Sequence, residues 1–194
     1  MSIGVFLGIR AAMTDADGIL DGLAEALRAA HLPPYEEPPH EEVKKRYLAL
    51  RKRARCKHDT LGSRGLTDLR RRIAGTKIVQ SPVDDLNAGA VFVPGEFEQR
   101  VPAPRLPLRC VWSTGALVQM LRRAALPLGL PLSNGELTPA ILAKVNAGHR
   151  LGKWDVEDDE NAENAIRQDV RPMWLTLYEF AKLAHSEHVA FVLS

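Results

Sequence analysis

The C-terminal end of the chain is its most apolar part, and it limits the folds that the rest can adopt. Between positions 174 and 184, large apolar side chains recur at spacings of three and four, which is typical of a helix buried in a core. Residues 189–193 are then apolar at every position. A strand of this kind has two buried faces, so it belongs inside a sheet that is covered on both sides. We therefore expect this helix and strand to close the core together.

The rest of the chain alternates between strand and helix patterns. Strands are predicted at 3–9, 77–80, 90–93 and 108–112. Thr14 is predicted to cap a first helix, Ser113 or Thr114 a later one, and Thr138–Pro139 to begin another. The final helix is predicted to begin between 158 and 164, and Pro172 to kink or divide it. The fold class is therefore α/β (α+β): residues 1–194 form a single globular domain with a mixed sheet of about five strands and several helices.

Two segments interrupt this alternation. Residues 31–40 contain four prolines, which favour an extended connector, and we expect Tyr35 to anchor it to the body of the protein. Residues 41–75 form a basic helical insertion, with one helix over 41–55 and a shorter one over 66–73. In the shorter helix Leu66, Leu69 and Ile73 have the spacing of a buried face.

Four stretches carry a resemblance to known proteins. They are HLPPYEEP (31–38), KIVQSPVDDLNAGAVFVPGEF (77–97), WSTGALVQML (112–121) and MWLTLYEFAKLAHSEHVAFVL (173–193). Together they resemble a group of bacterial and plant proteins that has no assigned activity, so the resemblance implies none here. The architecture also resembles that of bacterial toxin-immunity proteins, single-domain inhibitors of partner toxins.

Sequence motifs for catalysis are absent. The chain contains no GxSxG, HExxH, GxxxxGK[ST] or GxGxxG, and Gly62-Ser63-Arg64-Gly65 lacks the Lys-Ser/Thr of a phosphate loop. Cys56-Lys57-His58-Asp59 is the densest group of metal-capable side chains, but it lacks the ligand spacing of a zinc site. The basic surroundings of Cys56 would lower the pKa of a nucleophilic thiol, whereas a solvent-facing thiol without catalytic function is the favoured interpretation. No catalytic residue, cofactor or metal is predicted.

Charge is distributed in two blocks, although the net charge is only +2. Residues 43–77 contain 13 basic and two acidic residues, a formal +11, and residues 155–169 contain seven acidic residues and one basic residue, a formal −6. Such blocks are surfaces for partners, unless they pair with each other or are merely solvated. The predicted partner-binding residues are Arg70, Arg71, Arg72, Asp158, Asp159 and Glu160.

These features favour a non-catalytic protein-binding module, most concretely an immunity-type inhibitor that neutralises a cognate bacterial toxin. The first alternative is a nucleic-acid-associated protein that uses residues 43–77, although Tyr47 is the one aromatic residue there that could stack on bases. The second alternative is an enzyme with no recognisable motif. The N-terminus lacks the basic start of a secretory signal, and no stretch approaches the ~18 apolar residues of a membrane span. We expect a soluble cytoplasmic protein whose two cysteines are reduced.

Overall fold

The final strand of the chain lies in the middle of a mixed sheet. The computed structural model describes residues 2–56, 60–74, 82, 84–150 and 162–194. In this part of the chain six strands form one sheet in the order β2-β1-β8-β3-β5-β4. They are β1 (Ser2–Leu7), β2 (Thr60–Gly62), β3 (Val91–Val93), β4 (Val101–Pro102), β5 (Cys110–Ser113) and β8 (Phe191–Leu193). Strands β6 (Leu132–Ser133) and β7 (Glu136–Leu137) form a separate hairpin.

The sheet is mixed because one of its pairs is parallel. Strand β8 is antiparallel to both neighbours, with Phe191 opposite Leu7 of β1 and Phe92 of β3. Strands β3 and β5 are parallel, with Val93 opposite Ser113. The predicted fold class, α+β with a mixed sheet, is confirmed.

Helices cover both faces of the sheet. They are α1 (Ile9–Ala12), α2 (Ala16–Ala29), α3 (His40–Arg53), α4 (Ser63–Ala74), α5 (Thr114–Ala125), α6 (Pro139–Arg150) and α7 (Ala162–Ser186). The larger core joins Phe191 and Leu193 to apolar residues of α4, α5 and α7. The smaller core joins Ala190 and Val192 to α2. The side chains at the end of the chain thus alternate between two cores, which confirms that β8 is buried on both faces.

Several predicted details agree with the structure. Residues 32–39 contain neither helix nor strand, and the Tyr35 hydroxyl accepts a hydrogen bond from the Ala190 backbone N–H, so the connector is anchored as predicted. The inward face predicted for α4 is buried, and Ser113 caps α5 by accepting a hydrogen bond from Ala116 N–H. Neither cysteine forms a disulfide.

Other details need correction. The cap of α2 is Asp15 rather than Thr14, since its carboxylate accepts a hydrogen bond from Gly18 N–H. Pro172 does not divide the last helix, which continues through it from Ala162 to Ser186. Val170 and Trp174, on either side of Pro172, are both buried in the core. Cys56 is buried rather than solvent-facing, because it packs in the larger core at the end of α3. The predicted strand at 77–80 lies outside the described residues.

Candidate functional site

Helix α3 exposes six basic residues, and Glu41 and Glu42 are exposed in its first turn. It buries a narrow stripe in which Val43 and Leu50 are seven residues apart, and Tyr47 between them stacks on Phe6 at a ring-centroid distance of 6.1 Å. The other sides of the helix face solvent. We call its exposed basic residues, together with Leu48, the α3 face: Lys44, Lys45, Arg46, Leu48, Arg51, Lys52 and Arg53.

Leu48 lies at the centre of the α3 face. Its exposed fraction is 51%, which is unusual for a leucine in this protein. Its four helix neighbours at spacings of three and four are all basic, namely Lys44, Lys45, Arg51 and Lys52. Two arginines of the face form intramolecular ion pairs, Arg46 with Glu42 and Arg53 with Glu187. The centre of the face is therefore an apolar side chain within a ring of positive charge.

The three arginines predicted to bind a partner lie on α4, but they do not form one surface. The Arg70 guanidinium donates a 2.7 Å hydrogen bond to the carbonyl of Asp84, so it holds the loop that precedes β3. Arg71 is exposed, and its guanidinium lies 3.7 Å from the carboxylate of Asp68. Arg72 is half-buried. Because consecutive residues of a helix point in different directions, Arg71 is the member of the three best placed to meet a partner. Asp158, Asp159 and Glu160 lie outside the described residues.

A second candidate site is a polar cleft between α5 and α7, which we call the α5–α7 cleft. It has a volume of about 350 Å³. It lies beyond the carboxyl ends of the parallel strands β3 and β5, which is where open α/β sheets commonly bind ligands. Gly115 lets the start of α5 approach the loop that follows β3, since a Cβ at this position would lie 2.6 Å from the carbonyl oxygen of Gly95. The cleft is lined by Glu96, Gly115, Val118, Gln119, Arg122, Glu179, Lys182, Leu183, His185 and Ser186.

A hydroxyl, an imidazole and a carboxylate are connected at one end of the cleft. Nδ1 of His185 lies 3.2 Å from Oγ1 of Thr114, and its Nε2 lies 3.1 Å from Oε1 of Glu96. A nucleophilic triad needs an accessible hydroxyl and a sheltered carboxylate. Here Thr114 is fully buried and the Glu96 side chain is 70% exposed. The hydroxyl is therefore the buried group and the carboxylate the exposed one, the reverse of what a nucleophilic triad needs. Thr114 and Glu96 hold His185 at the edge of the cleft, and Thr114 is not an activated nucleophile.

An ion-pair network includes two of the residues that line the cleft, Glu179 and Lys182. Glu136 of the β6–β7 hairpin binds both Arg55 and Lys182, while Lys182 lies 3.8 Å from Glu179. Burial raises the pKa of Glu136, but its contacts with Lys182 and Arg55 together outweigh burial and hold that pKa below its usual value. For the more deeply buried Glu179, burial prevails over Lys182 and the Arg55 N–H, and its pKa is raised. The network joins the end of α3, the hairpin and α7.

Arg122 of α5 is oriented by a buried tyrosine. Its Nε donates a 3.0 Å hydrogen bond to the hydroxyl of Tyr178, which in turn donates to the carbonyl of Gly135 at 2.6 Å. Tyr178 itself stacks on Trp174 with ring centroids 4.7 Å apart. Within the described part of the chain, no carboxylate lies within ion-pairing distance of Arg122. Arg122 is one of the residues that line the cleft, and Tyr178 fixes the position of its Nε.

None of the cleft residues was predicted from the sequence. Their signal was a stripe of polar residues in the largely apolar second half of helix α7, since Glu179, Lys182 and Ser186 follow one another at spacings of three and four. The partners of that stripe come from distant segments, which no local pattern could have identified. Among the described residues, no group of three or more His, Cys, Asp or Glu is arranged to hold a metal ion.

Comparisons with known proteins do not assign a family to this geometry. No family model, no curated protein and no solved structure matches the chain. None of the helices in the described residues combines the length and apolar character that crossing a membrane requires.

Proposed function

We propose that the protein is a non-catalytic protein-binding module of the immunity type, which binds and neutralises a partner bacterial toxin in the cytoplasm through its α3 face. The observation that carries this proposal is Leu48, half-exposed inside a ring of four basic side chains. An apolar anchor surrounded by charges is the arrangement that protein interfaces use, with a desolvated centre and a polar rim. The partner surface that fits it is an acidic patch around an apolar pocket.

A protein partner fits this surface better than a nucleic acid does. Phosphate contacts require the lysines and arginines, but they offer nothing to an exposed leucine. Single-stranded nucleic acid also requires aromatic side chains for base stacking, and Tyr47 is engaged with Phe6 on the inner side of α3. An acidic protein accounts for both the charges and Leu48, and the charges would accelerate its association.

The experiment is a growth-rescue assay with a charge-matched control. The product of the gene adjacent to this one is expressed in a bacterial host, alone and with the wild-type chain. We expect growth arrest that the wild-type chain relieves. The double variant K44E/K52E should fail to relieve it, whereas R28E/R123E, which makes the same charge change at exposed positions of α2 and α5, should succeed.

Three results would contradict this proposal, each in a different part. Absence of rescue by the wild-type chain contradicts the immunity function, and equal rescue by the two double variants contradicts the assignment to the α3 face. Binding of a 30-base-pair DNA duplex at physiological salt that K44E/K52E abolishes and R28E/R123E retains would replace the proposal with the nucleic-acid alternative.

A further inference from the structure

The α5–α7 cleft has the dimensions and the mixed lining of a small-molecule site. Its volume of about 350 Å³ is at the lower end of the ~300–1,000 Å³ typical of ligand pockets. Val118 and Leu183 supply apolar walls, while Arg122 and Lys182 supply positive charge and Glu96 and Glu179 supply carboxyl groups. Such a site suits a ligand that is partly apolar and carries one charged group.

The two cations of the cleft are not equivalent. Lys182 is occupied, because its ammonium group binds Glu136 and lies close to Glu179. It also lies 5.1 Å from the centroid of the Tyr178 ring. Arg122 has no such acidic partner among the described residues, and its Nε is held by Tyr178. A guanidinium that is fixed at Nε and has no carboxylate partner can use its two terminal nitrogens to bind a planar, bidentate anion.

The acidic residues of the cleft restrict the charge of that anion. Glu96 and Glu179 lie on the same lining as Arg122, so their charges oppose a second negative charge on a ligand. The second charge of a dianion such as phosphate would be repelled, and Lys182 could not offset it because Lys182 is already paired with Glu136. A monoanion would make the pair with Arg122 and leave the internal network intact.

We propose that the α5–α7 cleft binds a small aliphatic monocarboxylate, with the carboxylate on the guanidinium of Arg122 and the aliphatic part between Val118 and Leu183. Arg122 is the binding residue, and Tyr178 is a positioning residue that acts through the Arg122 Nε. This site is separate from the α3 face, so the proposal does not depend on the immunity function.

The test is a titration of the ¹⁵N-labelled full chain with sodium butyrate at pH 7, followed by two-dimensional NMR. We expect saturable shifts of the Val118 and Leu183 amides and of the Arg122 Nε–H. The variant R122Q should weaken binding about 10- to 100-fold, since it removes a charge-assisted pair, and R122K should restore part of the affinity. The matched control R123Q changes the adjacent exposed arginine, which does not line the cleft, and should bind like the wild type.

Positioning by Tyr178 is tested in the same titration. The variant Y178F should weaken butyrate binding about 3- to 10-fold and move the free Arg122 Nε–H resonance, which a purely structural tyrosine would leave in place. Two other probes define the ligand class. Equal shifts with n-butanol, retention of butyrate binding in R122Q, or no saturation by butyrate would overturn the site. Phosphate binding as strong as butyrate binding would overturn the carboxylate class.

Discussion

Tyr35 and Ala190 are 155 positions apart in the chain, and the hydroxyl of Tyr35 accepts a 2.8 Å hydrogen bond from the Ala190 backbone N–H. Ala190 directly precedes β8, which lies between β1 and β3 in the interior of the sheet. Tyr35 therefore fastens the proline-rich connector to the sheet, and Glu37 adds a second anchor by accepting a hydrogen bond from the Arg10 backbone N–H. These contacts explain how a segment without helix or strand keeps a defined course between α2 and α3.

Replacing Tyr35 with phenylalanine should destabilise the protein by about 1–3 kcal/mol at pH 7. The buried Ala190 N–H would lose its acceptor, and an unsatisfied buried donor costs its full desolvation penalty. Urea denaturation measures the change. Glu36→Gln, at the exposed neighbouring position, is the control and should stay within about 0.5 kcal/mol of the wild type. A Y35F midpoint equal to that of E36Q would contradict the anchoring role.

The same tyrosine should make the protein sensitive to alkali. Burial raises the pKa of Tyr35, and the charge of Glu37 raises it further, while the Ala190 N–H lowers it. The folded state thus favours the neutral phenol, and this stability is present below the unfolded pKa of about 10 and is lost as pH rises above it. Between about pH 10 and 11 the free energy of unfolding should fall more steeply for the wild type than for Y35F, by up to about 1.4 kcal/mol per pH unit. Parallel curves for the two proteins would contradict this assignment.

Arg70 and Arg71 should behave differently, although they are adjacent. Arg70→Ala removes the hydrogen bond to the Asp84 carbonyl and should cost about 0.5–1.5 kcal/mol. Arg71→Ala removes an exposed contact of 3.7 Å with Asp68 and should change stability by less than about 0.5 kcal/mol. Thermal unfolding of the two variants makes the comparison. Equal losses of stability would mean that the Arg70 contact does not hold the loop. Because Arg71 is exposed, R71E is the variant of this pair that probes a partner surface.

Glu136 should stabilise the protein at neutral pH but not in acid. Its contacts with Lys182 and Arg55 hold its pKa below the usual value of about 4.3 despite its burial. A lowered folded pKa gives stability that is present above the unfolded value and lost as pH falls through the folded one. Because the side chain is 43% exposed, E136Q should cost only about 0.5–1 kcal/mol at pH 7, and the loss should shrink as pH falls below about 4.3 and through the lowered folded pKa. Denaturation curves from pH 3 to 7 test this, with the exposed Glu98→Gln as control, and a loss independent of pH would disprove it.

The sequence was informative where a pattern extends over several turns or alternates along a strand. The buried faces of α4 and α7 and the two-sided burial of β8 follow from such patterns. Strands β3 and β8 have only three residues each, but they lie within longer apolar runs at 90–93 and 189–193. Strands β2, β4, β6 and β7 have two or three residues each and lack such a run, and they were not predicted. The α5–α7 cleft was missed for another reason: Thr114 and His185 are 71 positions apart, and the sheet order that brings them together is not encoded locally.

The C-terminal strand β8 should be indispensable for folding. Phe191 is fully buried and its ring meets that of Phe92 at a centroid distance of 5.4 Å, so Phe191→Ala should cost about 3–5 kcal/mol.

Deleting residues 188–194 removes β8 altogether and leaves β1 and β3 without their shared neighbour. That loss should exceed the ~5–15 kcal/mol that stabilises a typical domain, so the truncated chain should be insoluble or show no cooperative transition in a circular-dichroism melt. Ser194→Ala keeps the backbone pairing of Ser194 with Gly4 and should melt like the wild type. A sharp transition of the truncated chain within a few degrees of the full-length protein would refute the central role of β8.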